Sequence, residues 1–182
     1  MSDKHQKILS SKTILKAHLF HVNELQIGLP NGKSVTHHVV EKKPVVFIFP
    51  ITPKYELYFA TEYSYNTQEI VMQVPAGTIE DGENPLQAAQ RELKEETGII
   101  AGQWEEFSRL ELAKSSLNAT VYLFLAKDLE MKKANPEETE DINVIKMPLI
   151  EAVNKVLTGE IRKAPVVAGI LLLDKLKQQK RL

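Results

Sequence analysis

Residues 77–99 read Gly-Thr-Ile-Glu-Asp-Gly-Glu-Asn-Pro-Leu-Gln-Ala-Ala-Gln-Arg-Glu-Leu-Lys-Glu-Glu-Thr-Gly-Ile, and this stretch constrains the fold more than any other part of the chain. It opens as a glycine loop and enters a helix at Asn84-Pro85. Asn84 suits the N-cap, Pro85 the first helical position, and Gln87 stands three residues after the cap as a capping box requires. Gly98 is placed to end the helix in the left-handed conformation that other residues resist. Within this helix Glu92, Glu95 and Glu96 stand at i, i+3 and i+4, which puts three like charges on one face. Two readings follow. The face is either solvated, with Arg91 and Lys94 as partners, or it holds a divalent cation, because hard ions take carboxylate oxygens as ligands. Leu86, Ala89 and Leu93 form an apolar stripe beside the carboxylates, expected to pack on a sheet. Arg91 is expected to pair with Glu83, since a guanidinium fork matches a carboxylate.

The rest of the chain supplies strands. Residues 13–42 alternate between apolar and polar around a Pro30-Asn31-Gly32 turn, which predicts two or three antiparallel strands joined by a hairpin. Residues 45–51 are a dense β-branched and aromatic run, expected as a buried strand, with residues 55–60 as its neighbour and 70–74 leading into Pro75-Ala76-Gly77. Strands are expected over 104–113, 120–126 and 142–147, and helices over 149–157 and 166–179. Residues 132–141 read as a polar, acidic loop. The predicted class is α/β (α+β), a mixed sheet flanked by helices.

With 182 residues, 43% hydrophobic and 26% charged, the chain has the composition of an ordinary globular protein. A formal charge of −1 gives no general attraction to nucleic acid or anionic membrane. There are no cysteines, so disulfide and thiolate chemistry are excluded. No run approaches the roughly 20 apolar residues of a membrane span, and no signal peptide is read at the start. A cytoplasmic location is the expectation.

The spacing of Gly77, Glu83, Arg91, Glu92, Leu93, Glu95, Glu96, Gly98 and Ile99 matches the Nudix box at every constrained position. The chain resembles a Nudix hydrolase. That resemblance implies an α/β/α sandwich around a mixed sheet over residues 43–182, with an N-terminal antiparallel β unit over 1–42. It also implies cleavage of a nucleoside diphosphate linked to another group, with Mg2+ (or Mn2+) as helper. The unit before the core is similar to that of the ADP-ribose and nucleoside diphosphate-sugar pyrophosphatases, where it builds a homodimer and the partner contributes to the pocket. The implied substrate is a small nucleotide sugar.

Resemblance implies the ligand set as well: the carbonyl of Ala76 with Glu92 and Glu96 would hold the metal, with Glu95 a further ligand. Glu138 and Glu140 are candidates for general base or additional ligand; the alternative is a merely solvated loop. Ala88 is expected to be small enough beside the carboxylates for a diphosphate to approach. Phe20 and Tyr63 are candidates to stack on a base, or else pack at an edge; Ser64 and Ser116 are candidate polar contacts. His21 with Glu24, and His37 with His38, lack a full ligand set and read as surface strand residues.

Three departures stand out. Ser64 replaces an arginine usual in the group, Gln73 replaces a common Glu, and residues 114–118 lack the usual proline and glycines. Two other functions remain open: hydrolysis of nucleoside triphosphates or dinucleoside polyphosphates, and a non-catalytic nucleotide-binding module.

Overall fold

The computed structural model describes residues 5–112, 115–132 and 142–182. It divides into two compact units, Met1–Pro44 with Glu111–Thr120, and Val45–Leu110 with Val121–Leu182.

In the first unit, β1 (Lys7–Lys16), β2 (Phe20–Gly28) and β3 (Ser34–Lys42) form an antiparallel meander. The predicted turn closes β2 onto β3. Gly32 donates to the carbonyl of Leu29 at 3.0 Å, Leu29 donates to that of Lys33 at 2.8 Å, and Gly28 pairs with Ser34. His21 lies opposite Glu41 and Glu24 opposite His38, with 3.5 Å between His38 Nε2 and Glu24 Oε2. His21, Glu24, His37 and His38 are thus strand residues at or near the surface, as expected.

The second unit begins with β4 (Val45–Pro50), β5 (Glu56–Ser64), β6 (Glu69–Gln73) and β7 (Ala76–Thr78), followed by α1 (Pro85–Thr97) and β8 (Ile99–Glu111). A short β9 (Leu117–Asn118) pairs in parallel with β3 and belongs to the first unit's sheet, whose order is β1-β2-β3-β9. Then come β10 (Thr120–Met131), β11 (Asn143–Pro148), α2 (Leu149–Leu157) and α3 (Ala164–Gln178). One sheet has the order β7-β4-β10-β8, with β4 and β10 parallel; another has the order β11-β5-β6. The expected mixed sheet is therefore present.

Alternation along β4 and β10 explains the layering. Val46 and Ile48 join Phe124 and Ala126 in a buried cluster with Ala88, Ala89 and Leu93 of α1. Phe49, with Val121, Leu123 and Leu125, joins a second cluster with Leu149 of α2 and Val166, Ile170 and Leu173 of α3. Side chains alternate across a strand, so a central strand covered by helices on both faces must be apolar at every position. That is why residues 45–51 read as a continuous apolar run. Each such side chain, fully buried, contributes about 1.5–3 kcal/mol. No described helix is long and apolar enough to cross a membrane.

Candidate active site

Helix α1 forms as its ends dictate. Asn84 accepts from the Gln87 N–H at 3.0 Å, and Gln87 Oε1 accepts from the Asn84 N–H at 2.9 Å, closing the predicted capping box. Gly98 caps the other end at φ 70°, its N–H bonded to the Lys94 carbonyl at 2.9 Å. The packed face holds Ala89 and Leu93 as expected, but not Leu86. Leu86 is 37% exposed, while Ala88 is fully buried beside Ala89 and Leu93. Ala88 therefore serves close approach of helix to sheet and is not beside an open substrate path.

Arg91 is the hub of the acidic face. Its Nε and Nη2 grip Glu83 Oε1 and Oε2 at 2.8 and 2.9 Å, as predicted. Nη2 also donates to the Thr78 carbonyl at 3.0 Å, and Nη1 to Glu92 Oε1 at 2.7 Å and Glu95 Oε2 at 3.2 Å. One guanidinium thus joins the loop, the end of β7 and two of the three box carboxylates. Hydrogen bonding by Arg91 holds the Glu83 carboxyl down at about 2, against its burial. Arg91 in turn is raised above the ordinary arginine value, chiefly by Glu83.

Glu96 is only 4% exposed, and its Oε1 accepts from the Ala76 N–H at 3.4 Å. Glu92 lies against the next residue: a Cβ added to Gly77 would fall 1.9 Å from Glu92 Oε1. Gly77 is therefore required by space, since any side chain there would displace the carboxylate. Two carboxylates of α1 converge on the Ala76–Gly77 backbone, with Glu95 at the exposed side of the same face. Among the described residues no three acidic or imidazole groups are drawn into a closed cluster. Arg91 Nη1 lies between Glu92 and Glu95 and bonds both. The donor set consists of oxygens, the preference of a hard divalent cation, and the Gly77 cradle keeps room beside Glu92. These residues fit such an ion.

The other candidates are placed as follows. Ser64 ends β5 opposite Glu69, and its carbonyl accepts from the Gln68 N–H at 2.7 Å. Tyr63 is 57% exposed. Phe20 opens β2 in the first unit, 39% exposed. The Ser116 carbonyl accepts from the Val40 N–H at 2.8 Å, so Ser116 contributes to the edge of that unit's sheet. Glu138 and Glu140 lie outside the described residues. Sequence reading missed Lys163, which donates to Gln73 Oε1; the one signal for it is a lysine where a helix N-cap would favour Ser, Thr, Asp or Asn.

Comparisons with known proteins place the whole chain. The ADP-ribose pyrophosphatase of Mycobacterium tuberculosis is 30% identical over 175 residues, covering 94% of this chain and 84% of that protein. The GDP-mannose pyrophosphatase of Cronobacter sakazakii is 32% identical over 150 residues, covering 81% and 73% respectively. A crystal structure of an ADP compounds hydrolase superposes with a TM-score of 0.84 at 26% identity, covering 97% of each chain. The model of the NUDIX domain family matches residues 41–169, which include β7, the capped helix and its carboxylates. The chain belongs to the Nudix domain family.

Proposed function

We propose that this protein is a metal-dependent pyrophosphohydrolase of nucleoside diphosphate sugars, with ADP-ribose among the better substrates. The products are a nucleoside monophosphate and a sugar phosphate. The carrying observation is the convergence of Glu92 and Glu96 on the Ala76–Gly77 backbone. Relatives named for ADP-ribose and for GDP-mannose support the substrate class. The ion would be magnesium or manganese, held by Glu92, Glu96 and the Ala76 carbonyl, with Glu95 as a further ligand. When bound it would offset the diphosphate's charge and acidify a water molecule.

The chain's own residues do the remaining work. Arg91 fixes the loop to α1 and orients Glu92 and Glu95. Glu138 or Glu140 would take the proton from the attacking water. Water adds to one phosphorus, the bridging oxygen leaves with the other phosphate, and one proton is released. Phe20, Tyr63, Ser64 and Ser116 are assigned to substrate contacts. The working form is a cytoplasmic homodimer built through residues 1–42, with residues 43–182 as the hydrolase domain.

The test is a panel with magnesium: ADP-ribose, GDP- and UDP-sugars, dNTPs and diadenosine polyphosphates. Nucleotide sugars should be cleaved best. Exclusive cleavage of triphosphates or dinucleoside polyphosphates would overturn the substrate class, and binding without turnover would favour the non-catalytic module. Without an arginine clamp at Ser64, several nucleotide sugars should be hydrolysed. A preference for ADP-ribose above about a thousandfold in kcat/KM, roughly 4 kcal/mol, would defeat that expectation.

A further inference from the structure

Neither the core nor the box explains Lys163. It occupies the N-cap of α3 without making a capping hydrogen bond. A cation there is disfavoured by the helix macrodipole, so helix stability does not call for it. As a whole residue Lys163 is exposed, but its ammonium turns inward onto Gln73 Oε1. Gln73 is 8% exposed, ends β6 three residues before Ala76, and donates through Nε2 to Glu62 Oε2 at 3.4 Å. Desolvation lowers the lysine's pKa, while the charges of Glu62 and Glu96 act on it in the opposite sense. The ammonium therefore lies within electrostatic reach of a buried box carboxylate, although its direct partner is a neutral amide.

Lys163 also lines one cleft with Ser64, Thr67, Glu69, Glu160 and Arg162. In that cleft Ser64 is uncharged, and Arg162 is engaged with Glu69. A partly desolvated ammonium held by a neutral amide is poised to exchange that partner for an anion, since an anionic oxygen adds a Coulomb attraction between unit charges that an amide oxygen does not supply. We propose that Lys163 is a substrate-binding residue, whose ammonium leaves Gln73 for a non-bridging oxygen of the diphosphate and supplies the positive charge that Ser64 does not. A lysine is a point charge and lacks the planar fork of arginine, so this contact grips phosphate without fixing one geometry. The inference rests on the diphosphate-hydrolase reading.

The experiment compares wild type, Lys163→Gln and Lys163→Arg at saturating magnesium with ADP-ribose. Glutamine is tolerated at a solvent-open N-cap, and the melting temperature of each variant checks folding. Loss of one charge-assisted contact should raise KM about ten- to hundredfold in Lys163→Gln with kcat little changed, and Lys163→Arg should recover most of it. An unchanged KM would overturn the proposal. So would a shifted magnesium midpoint with normal KM at saturation, which would make Lys163 a counter-ion to Glu96. If wild type cleaves no nucleotide sugar, the hydrolase reading falls by itself. Calorimetric titration with magnesium and inorganic diphosphate then decides Lys163: weaker binding in Lys163→Gln supports it, and equal binding overturns it.

Discussion

At the scale of single residues, the site combines an arginine hub with a buried carboxylate. Glu96 is buried, and burying a carboxylate is unfavourable unless its charge is compensated. Glu96→Gln keeps an oxygen for the Ala76 N–H and removes the charge. Turnover should fall by orders of magnitude, while the metal-free melting temperature stays level or rises. Near-normal turnover at saturating magnesium would exclude Glu96 from the metal site.

Glu83 behaves in the opposite way. Its carboxyl is held at about 2 against an ordinary 4.5, so the pair with Arg91 stabilises fully above about 4.5 and is lost as pH falls toward 2. Urea unfolding across that window should show wild type losing stability more steeply than Glu83→Gln. Parallel slopes would mean that the pair persists in the unfolded chain or contributes nothing.

At the scale of elements, α1 depends on its caps and α3 on one glycine. Asn84→Ala removes half of the capping box and should cost about 1 kcal/mol, read from the urea midpoint. At Gly169 of α3 a Cβ would fall 2.0 Å from Phe49 Cζ on β4. Gly169→Ala should therefore cost about 1–3 kcal/mol through overpacking, and an unchanged midpoint would show that Phe49 can turn aside.

The caps and the Arg91–Glu83 pair were legible in the sequence because they are local signals at fixed spacing. The packed face of α1 was legible at Ala89 and Leu93 but not at Leu86. Periodicity marks apolar positions, but a pair of alanines leaves the phase of the stripe open, and close approach to the sheet buried Ala88 in place of Leu86. Strand β8 begins at Ile99, five residues before the expected start. The Gly98 cap turns the chain directly into the sheet. The Lys163–Gln73 contact joins residues 90 apart and leaves no periodic trace. Ser64 and Lys163 meet on one cleft only because the β5–β6 hairpin and the start of α3 lie together.

At the scale of the whole molecule, β1 raises the question of assembly. It is the outer strand of its sheet and exposed at every position. Ile8 and Leu9 are 64% and 63% exposed, and Ile14 and Leu15 are each 48% exposed. An edge strand presents unpaired backbone donors and acceptors, and proteins ordinarily blunt such edges with charge, proline or a cover. Within this edge Lys7, Lys12 and Lys16 flank or interrupt the apolar residues without removing them. A second copy of the chain is the cover we assign, consistent with the homodimer proposed above. Light scattering at micromolar concentration should give twice the 20.6 kDa of one chain. Replacing Leu9 and Leu15 together by lysine places like charges on that surface, and should yield monomers while the α1 capping box and the Glu96 site remain folded. A monomeric mass for wild type would refute the assembly and leave the apolar face of β1 to another role.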